Sequence, residues 1–222
     1  NSLVIIGGGD IVEGCTIFPN QSFEIDSDRR KQIRDAVTFI LAGLDQLAPL
    51  FTSVTVLAVG GNHGENRIGG KRTTRHDNDD CAVFEHAALA ASRDPKLAHV
   101  GFHIAQDEPA KTLKVGDWIL GTTHGNAFRG GGHVAAKAHR WFSGMAAGRH
   151  PVGDSDLLVT HHYHHYASQD WGACHWVQTP SMDGGSPFFT DAGGMYSAPG
   201  MLTWVMSPQS RFADPQILTP GE

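Results

Sequence analysis

Short apolar runs alternate with stretches of helical period along the first two thirds of the chain. Leu3-Val4-Ile5-Ile6 is apolar throughout, as a buried strand requires, and runs into Gly7-Gly8-Gly9-Asp10. From Ser27 or Asp28 to about Leu47, apolar residues recur every three or four positions. They are Ile33, Val37, Ile40, Leu41, Leu44 and Leu47, and they predict a helix capped by Asp26 or Ser27 and stopped near Pro49. Val54 to Val59 is β-branched and apolar and predicts a second buried strand, halted by Gly60-Gly61. Strand, helix, strand in this order predicts a right-handed parallel crossover. That topology brings Asp10 and Asn62 to one sheet edge, the edge at which open α/β proteins bind ligands.

Residues 64–80 are polar and read as a long loop. A helix is predicted from about Cys81 to Ser92, a strand over 99–105, and an antiparallel hairpin from Lys111–Val115 and Trp118–Leu120 around Gly116-Asp117. The second arm ends in Gly121-Thr122-Thr123-His124-Gly125. Another helix is predicted from about His133 to Met145. Asp156 to Thr160 then reads as a short strand running into His161-His162-Tyr163-His164-His165. The tail, 167–222, is rich in Gly, Pro and Trp, with candidate strands at Trp176-Val177, Phe188-Phe189 and Met201 to Met206.

Composition narrows the picture. With 222 residues, 40% of them hydrophobic and 18% charged, the chain can bury a substantial core and is expected to form a single domain over 1–222. The net charge of −6 argues against a broadly basic nucleic-acid surface. A local one remains in Arg67, Lys71, Arg72 and Arg75, with Lys137, Arg140 and Arg149 further on. Cys15, Cys81 and Cys174 are too far apart for a CxxC metal site and suggest no disulfide framework. No apolar run reaches the length of a membrane span, so no membrane contact is expected and a cytoplasmic location is.

The 14 histidines change the reading from fold to chemistry. Four polar clusters follow four predicted strands: Asp10 with Glu13, Asn62 with His63, His124, and His162 with His164. Carboxylate, amide oxygen and imidazole nitrogen suit Mn²⁺, Fe²⁺ or Zn²⁺. On an extended segment, residues two apart point the same way, which would aim His162 and His164 together. His161 remains an alternative to His162.

These stretches resemble the ordered motifs of the calcineurin-like metallophosphoesterases. The matching residues are Gly9-Asp10-Ile11-Val12-Glu13, Gly61-Asn62-His63, Thr123-His124 and His161-His162-Tyr163-His164, all within 1–166. The resemblance implies an α/β two-sheet sandwich flanked by helices, with the repair-exonuclease-like members as the expected branch. It implies that Asp10 bridges two divalent ions, manganese foremost, with iron or zinc as alternatives. Asn62, His124 and His162 would complete one site and His164 would serve the other. His63 would act on the leaving group, oriented by Glu13.

The Asp-x-His motif and first strand that open the family signature are absent from the sequence. One metal site is therefore incomplete: an upstream segment is expected to supply its ligands, with another segment or a partner chain, or a site that holds one metal, as the alternatives. Gly64 also displaces the acid that normally follows the histidine, so Glu65 receives no role. The reading that follows is a metal-dependent phosphoesterase, a hydrolase of phosphodiesters or phosphomonoesters, acting on DNA or a nucleotide by attack of metal-bound water. The alternatives are a nucleotide or protein phosphatase, or a non-catalytic scaffold that binds a partner through a degenerate metal site.

Overall fold

The computed structural model describes residues 1–19, 21–183, 198–219 and 221. The chain divides into two compact units, Asn1–Lys111 and Thr112–Glu222. The expected α/β class, with two principal sheets and flanking helices, is the architecture found.

The first unit begins with β1 (Ser2–Gly7), α1 (Arg29–Leu47) and β2 (Ser53–Ala58). A two-residue-per-arm hairpin follows, β3 (Arg67–Ile68) and β4 (Lys71–Arg72), then α2 (Asp79–Ala91) and β5 (Val100–Ile104). The polar stretch 64–80 is therefore not wholly loop. Strand order is β1-β2-β5, and both pairings are parallel, with Gly7 opposite Ala58 and Ala58 opposite Ile104. The strand-helix-strand alternation requires this, because a parallel partner is reached only through a crossover.

The N-cap of α1 is Asp28, one residue past the nearer of the two expected caps, and it accepts from the Lys31 N–H at 2.9 Å. Leu44 of α1, Phe84 and Ala91 of α2, and Val54, Val56 and Ala58 of β2 form one buried cluster. Removing these apolar groups from water is the main term that holds the layer together. A second small cluster joins Val12, Ala36 and Val83, with Ile33 and Val37 packed against it.

The second unit holds a mixed five-stranded sheet, ordered β6-β7-β8-β10-β9. Its strands are β6 (Lys111–Val115), β7 (Trp118–Thr123), β8 (Leu157–Thr160), β9 (Ala167–Asp170) and β10 (His175–Gln178). β8 lies parallel to both β7 and β10 and all four of its residues are buried, the pattern of a central parallel strand. β9 runs antiparallel to β10 at the sheet edge and is mostly exposed.

Helix α3 (Val134–Ala147) sets His139 and Phe142 against the Trp171 ring, which stacks on Trp176 at 5.7 Å. Trp176 is core, and its indole N–H is bonded within the sheet. β11 (Met201–Ser207) and β12 (Ser210–Leu218) form a separate antiparallel ribbon with two register shifts. The expected strand at Phe188-Phe189 lies outside the described residues. Among the described residues, no helix is long and apolar enough to cross a membrane.

Candidate metal centre

In the first unit two turns leave adjacent parallel strands, one carrying Asp10 and Glu13, the other Asn62 and His63. Both are gathered by Asp80, near the start of α2, which is fully buried. Its carboxylate accepts from the backbone N–H groups of Asp10 (2.9 Å), Ile11 (3.0 Å), Val12 (3.3 Å) and Gly61 (2.7 Å). Bonds to an ionised acceptor are the strong kind. Asn78 caps α2 and donates from its amide to the Gly61 carbonyl at 2.9 Å.

This packing explains the glycine that interrupts the motif. A Cβ on Gly64 would lie 2.5 Å from Asn78 Oδ1 and 2.7 Å from Asp80 Oδ2, too close for any side chain. The following residue, Glu65, turns to Arg67 (2.8 Å) and Arg72 (3.4 Å).

His63 sits in the same web. Its backbone N–H donates to Asp10 Oδ1 at 2.8 Å. Its Nδ1 lies 3.0 Å from the Glu13 carbonyl and 3.2 Å from the Glu13 carboxylate, with the ring against Phe18. Burial works against charging this imidazole. The hydrogen bond to Glu13 and the negative charges of Asp10 and Glu13 together outweigh it, raising the pKa to about 9. The same contact lowers the Glu13 pKa. Gln21 accepts from the Ile17 N–H and donates to the Glu13 carbonyl and carboxylate, both at 2.7 Å.

In the second unit His124 ends β7 and is buried, and His162 follows β8. Their rings meet edge to face at 5.0 Å, and the His161 N–H donates to the His124 carbonyl at 3.0 Å. His161 is engaged by two threonine hydroxyls, with Nε2 3.1 Å from Thr122 and Nδ1 2.8 Å from Thr179. The segment 161–165 is not the extended run that the spacing of His162 and His164 assumes. Both residues take left-handed backbone angles, φ 74° and 59°, and Asp10 in the first unit does the same at 55°. Three of the five non-glycine residues with positive φ among the described residues are thus candidate ligands. Such angles concentrate where function holds the backbone.

Of the candidate donors, the first unit supplies one carboxylate, Asp10, and the second two imidazoles, His124 and His162, a single set of three among the described residues. One carboxylate and two imidazoles fit a single borderline ion such as zinc. Asn62 is buried beside His63, and His164 lies outside that group.

This corrects the expected chemistry. A two-metal clamp needs two ions about 3.5–4 Å apart, and three donors make one incomplete set. The expectation of two divalent ions, manganese foremost, is overturned. The hydrolase, phosphodiesterase and nuclease readings built on that clamp fall with it, as does the phosphate-ester or DNA substrate.

Asp80 falls in the polar stretch 64–80 that reads as a loop, and so is not among the expected site residues. The available signal was its place just inside a helix behind Asn78, a capping residue. Gln21 and Gln178 carried no signal beyond being polar.

No family model and no curated protein matches the chain. Solved structures do. Vps29 from Entamoeba histolytica complexed with Zn²⁺ is 17% identical, covering 90% of this chain and 83% of its own, with a TM-score of 0.43. Vps29 from Chaetomium thermophilum is 12% identical, covering 98% and 97%, with a TM-score of 0.43. An archaeal phosphodiesterase is 9% identical, covering 97% and 99%, with a TM-score of 0.44. None of these likenesses singles out the repair-exonuclease branch.

Proposed function

We propose that the chain is a non-catalytic scaffold of calcineurin-like fold that binds a partner protein and takes up at most one metal ion. The observation that carries this reading is the single three-member donor group, Asp10, His124 and His162. Those residues would hold the ion, with Asn62 and His164 as neighbours that tune it, and zinc is the ion their chemistry favours.

Keeping His63 and Glu13 has a structural account under this reading. His63 Nδ1 reaches both the carbonyl and the carboxylate of Glu13 and so ties the Asp10–Glu13 turn to the Gly61–His63 turn. A brace of that kind is useful without any proton transfer. The proposal includes a cytoplasmic location, in keeping with three widely spaced cysteines.

The test is metal analysis joined to an activity assay on the whole chain. After loading with Zn²⁺ or Mn²⁺ and dialysis, no more than one equivalent is expected, lost in His124→Ala. Hydrolysis of bis(p-nitrophenyl) phosphate should not exceed that of the same variant. Two bound equivalents, together with metal-dependent turnover abolished by Asp10→Ala, would overturn the proposal.

A further inference from the structure

A groove of about 410 Å³ lies on the first unit, lined by Arg30, Ile33, Arg34, Val37 and Thr38 of α1 and His86 of α2. Its floor and rim differ in kind. Ile33 and Val37, four residues apart on one helical face, are half-buried and pack inward on the Val12, Ala36 and Val83 cluster. Their remaining apolar surface forms the floor. Arg30 and Arg34, also four apart, are exposed, and so is His86 opposite them. Leu89, three residues beyond His86 on α2, is 56% exposed.

The charge on this rim is only partly answered from within the unit. The ion pairs of α1 join Arg29 to Asp79 and Lys31 and Arg34 to Asp35. Among the described residues Arg30 is in none of them. In a chain of net charge −6, two arginines flanking an apolar strip form a local reversal of sign. An apolar floor between two helices, edged by cations at a four-residue spacing, is complementary to one kind of occupant. That occupant presents leucine-like side chains at three- and four-residue spacing, with carboxylates beside them.

We infer that the groove between α1 and α2 is a docking site for an acidic amphipathic helix of a partner protein. This names the partner class for the scaffold reading and rests on it. The side chains involved belong to α1 and α2 and none is a candidate metal ligand, so docking here is independent of metal.

The test uses two fluorescein-labelled amphipathic peptides of about 18 residues, long enough to form a helix. One carries leucine and glutamate, the other leucine and lysine in the same pattern. Fluorescence anisotropy is recorded against the whole chain in EDTA. The glutamate peptide is expected to bind and to weaken as salt is raised. Arg30→Glu with Arg34→Glu should weaken it about tenfold and should instead admit the lysine peptide. Both positions are exposed, and circular dichroism verifies that the double variant is folded.

Equal binding of the glutamate peptide to parent and double variant would overturn the inference, as would no binding to either. Sedimentation showing a dimer of the parent that the same double variant dissolves would also overturn it, because the occupant would then be a second copy. The scaffold reading fails by a different measurement, metal-dependent hydrolysis, so the two failures are distinguishable.

Discussion

In the first unit one buried carboxylate, Asp80, draws four backbone N–H groups from two turns. In the second unit the turn after β8 is held by neutral dipoles. Trp176 Nε1 donates to Thr160 Oγ1 at 2.9 Å, Thr160 donates to Gln178 Oε1 at 2.9 Å, and Gln178 Nε2 donates to the His161 carbonyl at 2.8 Å. Both arrangements satisfy buried polar groups at strand ends. They differ in what is lost when one member is removed. An ionised hub concentrates many bonds on one residue, whereas a relay of amides and hydroxyls spreads them along a line. The first unit should therefore be vulnerable at a point and the second should yield gradually.

The five tryptophans make this contrast measurable, because all of them lie between 118 and 204. Tryptophan fluorescence reports on the second unit, and far-ultraviolet circular dichroism reports on both. The largest effect is expected from Asp80→Ala, which leaves several buried N–H groups without their acceptor and should cost about 3–4 kcal/mol. Urea titration should show it in the dichroism transition. A loss under about 1 kcal/mol would mean that Asp80 is not the hub. Next comes Gly64→Ala, which drives a methyl group against Asn78 and Asp80 and should cost about 2 kcal/mol by the same measurement. An unchanged midpoint would show that the α2 start can retreat.

Gln178→Leu tests the other side of the comparison. It removes the donor to the His161 carbonyl, and a cost of about 1–2 kcal/mol is expected in the fluorescence transition. A cost as large as that of Asp80→Ala would erase the distinction between hub and relay.

The smallest effect concerns pH. Burial, and then the charge of Arg211, lower the pKa of His175, whose ring stacks on Phe212 at 5.0 Å. With the folded value below the ordinary 6.5, the unfolded chain takes up the proton first. The contribution is whole above that range and is lost as pH falls through it toward the folded value. The fluorescence melting temperature of the parent should therefore drop more between neutral and mildly acid pH than that of His175→Gln. Identical slopes would remove His175 from the account.

Much of the scaffold was legible in the sequence. The apolar period of Ile33 to Leu47 marks α1, and the β-branched run before Gly60 marks β2, because burial on one face or both writes itself into composition. β9 was not legible. Ala167-Ser168-Gln169-Asp170 is an edge strand with little to bury, so it carries no apolar pattern. β12 was hidden by Asp214, with φ 48°, and by Pro215, which a two-stranded ribbon tolerates at an edge. The hairpin of β3 and β4 turns on Gly69-Gly70, but its arms of two residues are too short to read as strands.

The motif residues were legible by type and order, and the number of ions they hold was not. Ligand count depends on which side chains converge, and His162 and His164 are separated from the expected geometry by backbone angles that no side-chain spacing reveals. Asp80 was missed for a related reason. Its partners lie 19 to 70 positions away, beyond any local pattern.

The left-handed angles at Asp10, His162 and His164 have a consequence for any effort to improve this protein by selection. A side chain in that region costs on the order of 1 kcal/mol relative to glycine, so these positions hold stability in reserve. A library screened for heat resistance alone should drift there toward glycine or asparagine. A library screened for metal or partner binding as well should not. Where the two outcomes part, the position marks a residue kept for its side chain at the expense of its backbone.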